Sequence, residues 1–378
     1  MDERIRFVAA CHDSHDSFAQ LCRSFGISRK TGYKWVARYE ARGPRGLEEA
    51  SRAPCAIPHR TADDVRDVLV AARREHPFWG PKKLRCVVAE RHPRLALPAP
   101  STIGALLKRE GLIRPRKRRL RVPWSTQPLD PCHDPNALWC IDFKGHFALG
   151  DRSRCYPLTV TDAFSRYLLA CEAMNEGKEG PVRVALERAF REFGLPERLR
   201  SDNGPPFASV GLGGLTGLSV WWVKLGIVPE RIEPGHPEQN GRHERMHRTL
   251  KLEATQPAAA DLGAQQRTFD RWRAQYNEVR PHEALGQRPP ASAYALSRRR
   301  YPSELGEPTY GPELEVRRVH ESGRLKRKGV WVPLGRCLGG EPVGLREVGE
   351  AQWQVYYGPL YLGTLDETKR EPRLLRAP

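Results

Sequence analysis

No apolar run in this 378-residue chain approaches the roughly 18 residues needed to span a bilayer. The opening Met1-Asp-Glu-Arg-Ile-Arg6 also lacks the apolar stretch of a secretion signal, so the chain is expected to be cytoplasmic, without a membrane partner. None of the nine cysteines forms a Cys-x-x-Cys pair, which favours reduced thiols over a disulfide framework. Acidic residues are in deficit: 45 Asp and Glu face 63 Lys and Arg, giving a net charge of +18 and a pI of about 9.8. Such a field recruits polyanions, with nucleic acid as the expected partner and an anionic membrane surface as the rival. The length suggests about two to four domains, each able to bury its own core.

From Phe18 to Tyr39, apolar residues recur at helical spacing on both sides of Gly26, the pattern of helix, turn, helix. Gly26 can take the left-handed turn conformation, Ile27 can plug the core, and Ser28 can cap the second helix. That helix fits a major groove, and its Arg29, Lys30 and Lys34 are candidate DNA contacts; the alternative is a helical hairpin with a solvated basic face. Residues 53–58 read as a linker. Helices are then expected over Ala62–Glu75, Lys82–Glu90 and Thr102–Glu110, the last capped by Ser101 and closed by Gly111, as a second helix-turn-helix-like unit. Arg114-Pro-Arg-Lys-Arg-Arg-Leu-Arg121 reads as an extended arm tracking phosphates, against a solvated linker.

Beyond Ala137 the pattern changes to short apolar runs. Strands are expected over Leu138–Phe143, Tyr156–Val160 and Tyr167–Cys171, then a helix over Val182–Phe193 and a short strand over Arg198–Arg200. Strands followed by alternating helix and strand describe a mixed α/β sheet. Further helices are expected over Leu215–Leu225, Asn240–Ala254 and Ala264–Glu278. Leu314–Val319, Val330–Val332, Val343–Val348 and Trp353–Tyr357 read as strands of a small β-barrel or β-sandwich. The expected organisation is therefore a helix-turn-helix domain at 1–52, a second such unit at 60–113, a basic linker at 114–135, an α/β core at 136–298 and a small all-β domain at 308–378.

Two acids mark the core. Asp142 lies in Trp139-Cys-Ile-Asp-Phe-Lys144 and Asp202 in Ser201-Asp-Asn-Gly204, and an aspartate in an apolar strand is costly unless something offsets its charge. If both lie on neighbouring strands, their carboxylates converge on a hard cation such as Mg²⁺. Glu238 and Glu244 are the candidates for a third acid. Two metal alternatives stand beside this one: His243-Glu-Arg-Met-His247 is literally the H-E-x-x-H of zinc proteases, and Cys11, His12, His15 and Cys22 offer zinc ligands. Arg242, Arg245 and Arg248 oppose zinc on the former helix, and no third ligand is evident.

Trp139-x-x-Asp142, Ser201-Asp-Asn-Gly204, His236-Pro-x-x-Asn-Gly-x-x-Glu-Arg245 and Tyr276-Asn-x-x-Arg-Pro-His-x-Ala-Leu285 together resemble the DDE transposases of bacterial insertion sequences. The resemblance covers about residues 137–290 and implies a ribonuclease H-like core similar to retroviral integrase. It implies catalytic and metal-ligating roles for Asp142, Asp202 and Glu244, with two Mg²⁺ or Mn²⁺ ions, DNA cleavage and strand transfer at the ends of a mobile element, and a homo-multimer joining two ends. Glu238 lies 35 intervening residues beyond Asp202, the retroviral integrase spacing, and Glu244 lies 41 beyond. The resemblance places the acid three residues after the Gly of Asn240-Gly241, which selects Glu244, and a helix holds a ligand better than the loop expected around Glu238. Arg248 and Lys251 share the helical face of Glu244, where they can hold donor phosphates; a solvated basic face is the alternative. An inactive DNA-binding regulator is a second rival, but all three acids of the motif are present.

Overall fold

The computed structural model describes residues 2–13, 15–49, 60–113, 132–209, 211–233, 239, 241–368 and 374–376. The linker at 53–58, the basic run 114–121, Glu238 and Asn240 lie outside the described residues. The chain falls into two compact units, Met1–Thr61 and Ala62–Pro378.

The first unit is three helices, α1 (Asp2–Asp13), α2 (Phe18–Ser24) and α3 (Arg29–Arg42), closed by a 3₁₀ turn over Gly43–Leu47. Gly26 takes a φ of +64°, so the chain reverses between α2 and α3 without steric cost. Ser28 caps α3, its side chain accepting the Thr31 amide at 3.1 Å. Phe7, Val8, Leu21, Cys22 and Leu47 form the core, and half-buried Ile27 packs against it. Arg4 donates to the Leu47 carbonyl at 2.8 Å, fastening the end of the unit to α1.

The second unit begins with α4 (Asp63–Glu75), α5 (Pro81–Arg91) and α6 (Pro100–Arg109), which share a core around Leu69, Leu84, Ile103 and Leu107. The cap of α6 is Ala99, not the expected Ser101. Pro100 accounts for the difference, because its fixed φ suits the first helical position and its missing N–H would have had no helical partner there.

The central sheet is built from β1 (Leu138–Phe143), β2 (Phe147–Ala148), β3 (Arg154–Asp162), β4 (Leu168–Met174), β5 (Arg198–Ser201) and β6 (Val228–Arg231). β3 pairs antiparallel with β1, β2 and β4, whereas β5 runs parallel to both β1 and β6. Three antiparallel strands continued by parallel ones give the ribonuclease H-like arrangement. Helices α7 (Glu179–Phe193) and α8 (Gly217–Lys224) cover one face, packing on Trp139, Ile141, Leu158 and Val160. The other face carries α9 (Gly241–Ala254) and α10 (Leu262–Glu278), with Met246, Leu250, Phe269 and Trp272 against Leu168 and Cys171. This division follows the two-residue alternation of side chains along a strand. A buried polar knot pins the β3–β4 turn: the Asp162 carboxylate accepts the Asn136 amide at 2.8 Å, the Ser165 amide at 2.7 Å and the Ser165 hydroxyl at 2.6 Å.

The remaining strands are β7 (Glu315–Arg318), β8 (Arg324–Arg327), β9 (Val330–Pro333), β10 (Pro342–Gly349), β11 (Gln352–Tyr357), β12 (Leu360–Asp366) and β13 (Leu374–Arg376). They form a five-stranded antiparallel sheet in the order β13-β12-β11-β10-β7 and a separate β8–β9 hairpin. Their apolar core takes in Leu215, Val220 and Val223 from and beside α8, whose Leu218, Trp221 and Trp222 belong to the core beneath the central sheet.

Gly32 offers a test of packing in the first unit. A Cβ there would lie 2.8 Å from Cys22 Sγ and 2.9 Å from Phe7 Cζ. Ala is favoured over Gly within a helix by up to about 1 kcal/mol, but forced overpacking costs about 1–3 kcal/mol. Gly32→Ala is therefore expected to destabilise this unit by about 1–2 kcal/mol, read as faster hydrogen exchange of the α3 amides. Unchanged or slower exchange would mean that the core has room there.

Candidate active site

The pairing of β1 with β5 builds the site. The two strands are parallel with Cys140 opposite Arg200, so the register carries Asp142, two residues on, to the level of Asp202, the first residue past β5. Parallel neighbours end at the same sheet edge, and both carboxylates therefore stand together. The Asp202 carboxylate accepts the Gly204 amide at 3.2 Å, and Asn203 donates to the Ile232 carbonyl at 2.7 Å, tying this loop to the end of β6. Gly204 is needed for closeness: a Cβ there would sit 3.2 Å from the Asp202 carboxylate.

Asp142 is half-buried, and its carboxyl is pushed up to about 7. Burial is the main cause, the negative charge of Asp202 comes next, and Glu244 adds to it. Glu244 stands exposed on the first turn of α9, and its charge, like that of Asp202, raises the Asp142 carboxyl. That excess of carboxylate charge beside a half-buried strand end fits a divalent cation, whose oxygen donors these would be.

The inward side of α9 faces the sheet with His243, Met246, His247, Leu250 and Ala254, all buried. Thr159 and Thr161, two apart on β3, meet the histidines. Thr159 Oγ1 lies 2.7 Å from Nε2 of His243 and 2.7 Å from Nε2 of His247, and Thr161 Oγ1 lies 3.1 Å from His243 Nδ1. Burial drives the His243 pKa down to about 3, and His247 is lowered further by burial, His243 and Lys144, so both rings are neutral. Asp142, His243 and His247 form, among the described residues, a group whose potential ligand atoms lie within 4.8 Å of one another. Both nitrogens of His243 are engaged by threonines, however, so the histidine pair of the H-E-x-x-H sequence is not presented jointly to one ion. The expected reading did not include this threonine–histidine contact; the sequence signal is the inward spacing of 243, 247, 250 and 254, which is that of a buried helix face.

Family comparisons follow the same order along the chain. A helix-turn-helix domain family matches residues 3–54, a homeodomain-like domain 31–107, two integrase core domain families 133–237 and 225–290, and the C-terminal domain of the IS481 family transposases 314–373. The chain belongs to the insertion-sequence transposases with an integrase core. Polynucleotidyl transfer, the cleavage and joining of DNA strands, is the reaction class of such an enzyme. The transposase is 33% identical over 242 residues to an insertion element IS476 protein of Xanthomonas euvesicatoria, covering 63% of its own length and 66% of the relative. It is 29% identical over 283 residues to an insertion element IS407 protein of Burkholderia multivorans, covering 74% of this chain and 91% of that one. The chain thus spans about two thirds of the first relative and nine tenths of the second. Among solved structures, the catalytic core domain of HTLV-2 integrase in complex with magnesium aligns over 43% of this chain and 98% of its own, at 16% identity and a TM-score of 0.35.

The other expected contacts are surface residues of the transposase. Arg29, Lys30 and Lys34 are exposed on α3, and Arg248 and Lys251 are exposed on α9, as Glu244 is. The structure does not bring the α3 residues and the acids into one described unit. Among the described residues, no helix is long and apolar enough to cross a membrane.

Asp142 makes the stability of the metal-free protein pH-dependent in a stated direction. Its folded value of about 7 lies above the ordinary 3.8, so the stability linked to its protonated form is complete below about pH 4 and is lost as pH rises through 7. Asp142→Asn, which cannot ionise, is expected to unfold later than the parent above pH 7 in chelator, by about 2 kcal/mol, and at similar temperature near pH 4. Thermal unfolding across pH measures this. Parallel curves for the two proteins would remove the charge conflict at Asp142.

Proposed function

We propose that this transposase cuts the ends of a mobile DNA element and joins them to target DNA at Asp142, Asp202 and Glu244. The observation that supports the reading is the parallel register of β1 with β5, which sets Asp142 level with Asp202, with the charges of Asp202 and Glu244 both acting on Asp142. The set has the chemistry of a hard-cation site, and Mg²⁺ or Mn²⁺, as a pair of ions, suits it. Bound there, such ions supply a nucleophilic oxygen and stabilise the leaving 3′ oxygen of an in-line displacement. Asp142 and Asp202 hold the rigid side of the site from adjacent strands, and Glu244 closes it from α9.

Arg248 and Lys251, four and seven residues past Glu244, hold donor phosphates beside the acids. In the first unit α3 lies in the major groove of the element end, with Arg29, Lys30 and Lys34 making base or phosphate contacts. DNA is the partner, and processing two ends together calls for a homo-multimer. The C-terminal sheet contacts DNA or a second subunit in that assembly. A cytoplasmic location follows if the DNA is chromosomal.

Glu244 rather than Glu238 is the third ligand in this reading, because α9 fixes its position against the sheet. Glu244→Gln is expected to abolish strand cleavage and transfer, at least a hundredfold by order of magnitude, while DNA binding persists. Glu238→Gln retains substantial activity. Purified protein, DNA from the flanks of its own gene and Mg²⁺ provide the assay, and chelation stops it. The reverse order of the two variants would transfer the ligand role to Glu238, and zinc-dependent peptide cleavage lost with His243→Ala or His247→Ala would replace the reading altogether.

For recognition, replacing Arg29, Lys30 and Lys34 together by Ala is expected to weaken binding of the element end and flatten its salt dependence, the fold remaining intact. Footprints that do not change would take α3 out of end recognition.

A further inference from the structure

Thr159 has one hydroxyl proton and three neighbours. Its Oγ1 lies 3.1 Å from the Asp142 carbonyl and 2.7 Å from Nε2 of each of His243 and His247. A hydroxyl donates once and accepts twice. Every contact is a hydrogen bond in one arrangement only: Thr159 donates to the carbonyl and accepts an Nε2–H from each ring. With its ring proton given to Thr159 through Nε2, each histidine carries its lone pair on Nδ1. That of His243 accepts the Thr161 hydroxyl at 3.1 Å. That of His247 is directed to the Asp142 side, with Nδ1 lying 3.8 Å from Asp142 Oδ2.

At 3.8 Å the two atoms are too far apart to bond each other directly. Donors about 2.1 Å from a shared ion lie roughly 3–4 Å apart for the angles found in four- to six-coordinate sites. His247 also stands one turn after Glu244 on α9, at the i, i+3 spacing that puts two side chains on neighbouring tracks of a helix. We propose that His247, through Nδ1, is a ligand of the cation held by Asp142, with Thr159 fixing its tautomer and ring orientation. This rests on the three-carboxylate reading and adds a nitrogen donor to it. Its chemical consequence is selectivity: an imidazole donor suits transition metals better than it suits Mg²⁺, and Mn²⁺ is the first of that series, so the site discriminates among divalent ions in a way that oxygen donors alone do not. Thr159 has a positioning role, since a hydrogen bond to the distal ring nitrogen sets which nitrogen faces the metal.

The experiment uses the full chain loaded with Mn²⁺ alone and reads the ion's electron spin-echo modulation, which detects directly bound imidazole nitrogen without any turnover. The parent protein is expected to show that coupling, and incorporation of nitrogen-15 histidine to replace it with the nitrogen-15 pattern, a comparison that needs no substitution. His243→Gln is expected to keep the coupling. His247→Gln is expected to lose it while still binding Mn²⁺ about tenfold more weakly, with Mg²⁺ binding changed far less. Mn²⁺ whose binding is abolished by Asp142→Asn, but which shows no histidine nitrogen in the parent, overturns the proposal and leaves the carboxylate site standing. Coupling that survives His247→Gln also overturns it. Mn²⁺ binding that is indifferent to Asp142→Asn overturns both the proposal and the carboxylate reading.

Discussion

Everything at the candidate site depends on the parallel pairing of β1 with β5. A strand-ending aspartate on each would be an isolated, costly charge if the strands ran in opposite directions, because their ends would then stand at opposite edges of the sheet. Run parallel and in register, they put Asp142 and Asp202 side by side, and their mutual repulsion is held in place by the apolar contacts of Trp139, Ile141 and Leu199 beneath. The crossover that parallel pairing requires is α7, and its packing on the sheet anchors the geometry. β6 extends the same logic, with Glu230 paired to Arg198 at 3.2 Å and to Arg200, so that the chain leaves the sheet at the edge from which α9 returns.

α9 carries two different chemistries on its outward and inward sides. Its outward positions hold Glu244, Arg248 and Lys251, and its inward ones meet Thr159 and Thr161 through two neutral rings. An apolar pair would pack there as well, so the cost of burying four polar side chains has to be recovered in their hydrogen bonds. The bonds fix the rotation of α9 about its own axis, and with it the direction in which Glu244 points.

Much of this was legible from the residues. Strong periodicity located α3, α7 and α10, and the apolar run of β1 emerged with the expected limits, Leu138 to Phe143. Gly26 and Ser28 played the local roles that their chemistry suggests. What escaped was decided by partners distant in sequence. β6 is Val-Pro-Glu-Arg, with no alternation to mark it, and is a strand because β5 offers it a ladder. β8 is Arg-Leu-Lys-Arg, where one buried leucine is the whole apolar signal. At the site, the acids were visible as misplaced charges in apolar surroundings. The His243 and His247 contacts were not, because nothing local says that two threonines some 80 residues earlier lie beneath them. Between Glu238 and Glu244 the residues speak both ways, since spacing favours the first and helical position with the family pattern the second.

The placement of α8 has a consequence for how the enzyme is assembled. A boundary between the α/β core and the C-terminal sheet can be drawn along the chain, but it cannot be drawn through the packing, because one short helix has Trp221 and Trp222 in one apolar cluster and Val220 and Val223 in the other. Cut away the sheet, and those valines with Leu215 become a sticky patch on the catalytic layer. The two layers are thus joined like floors sharing a single beam, so that a load placed on the tail is transmitted through α8 to the apolar core beneath the central sheet.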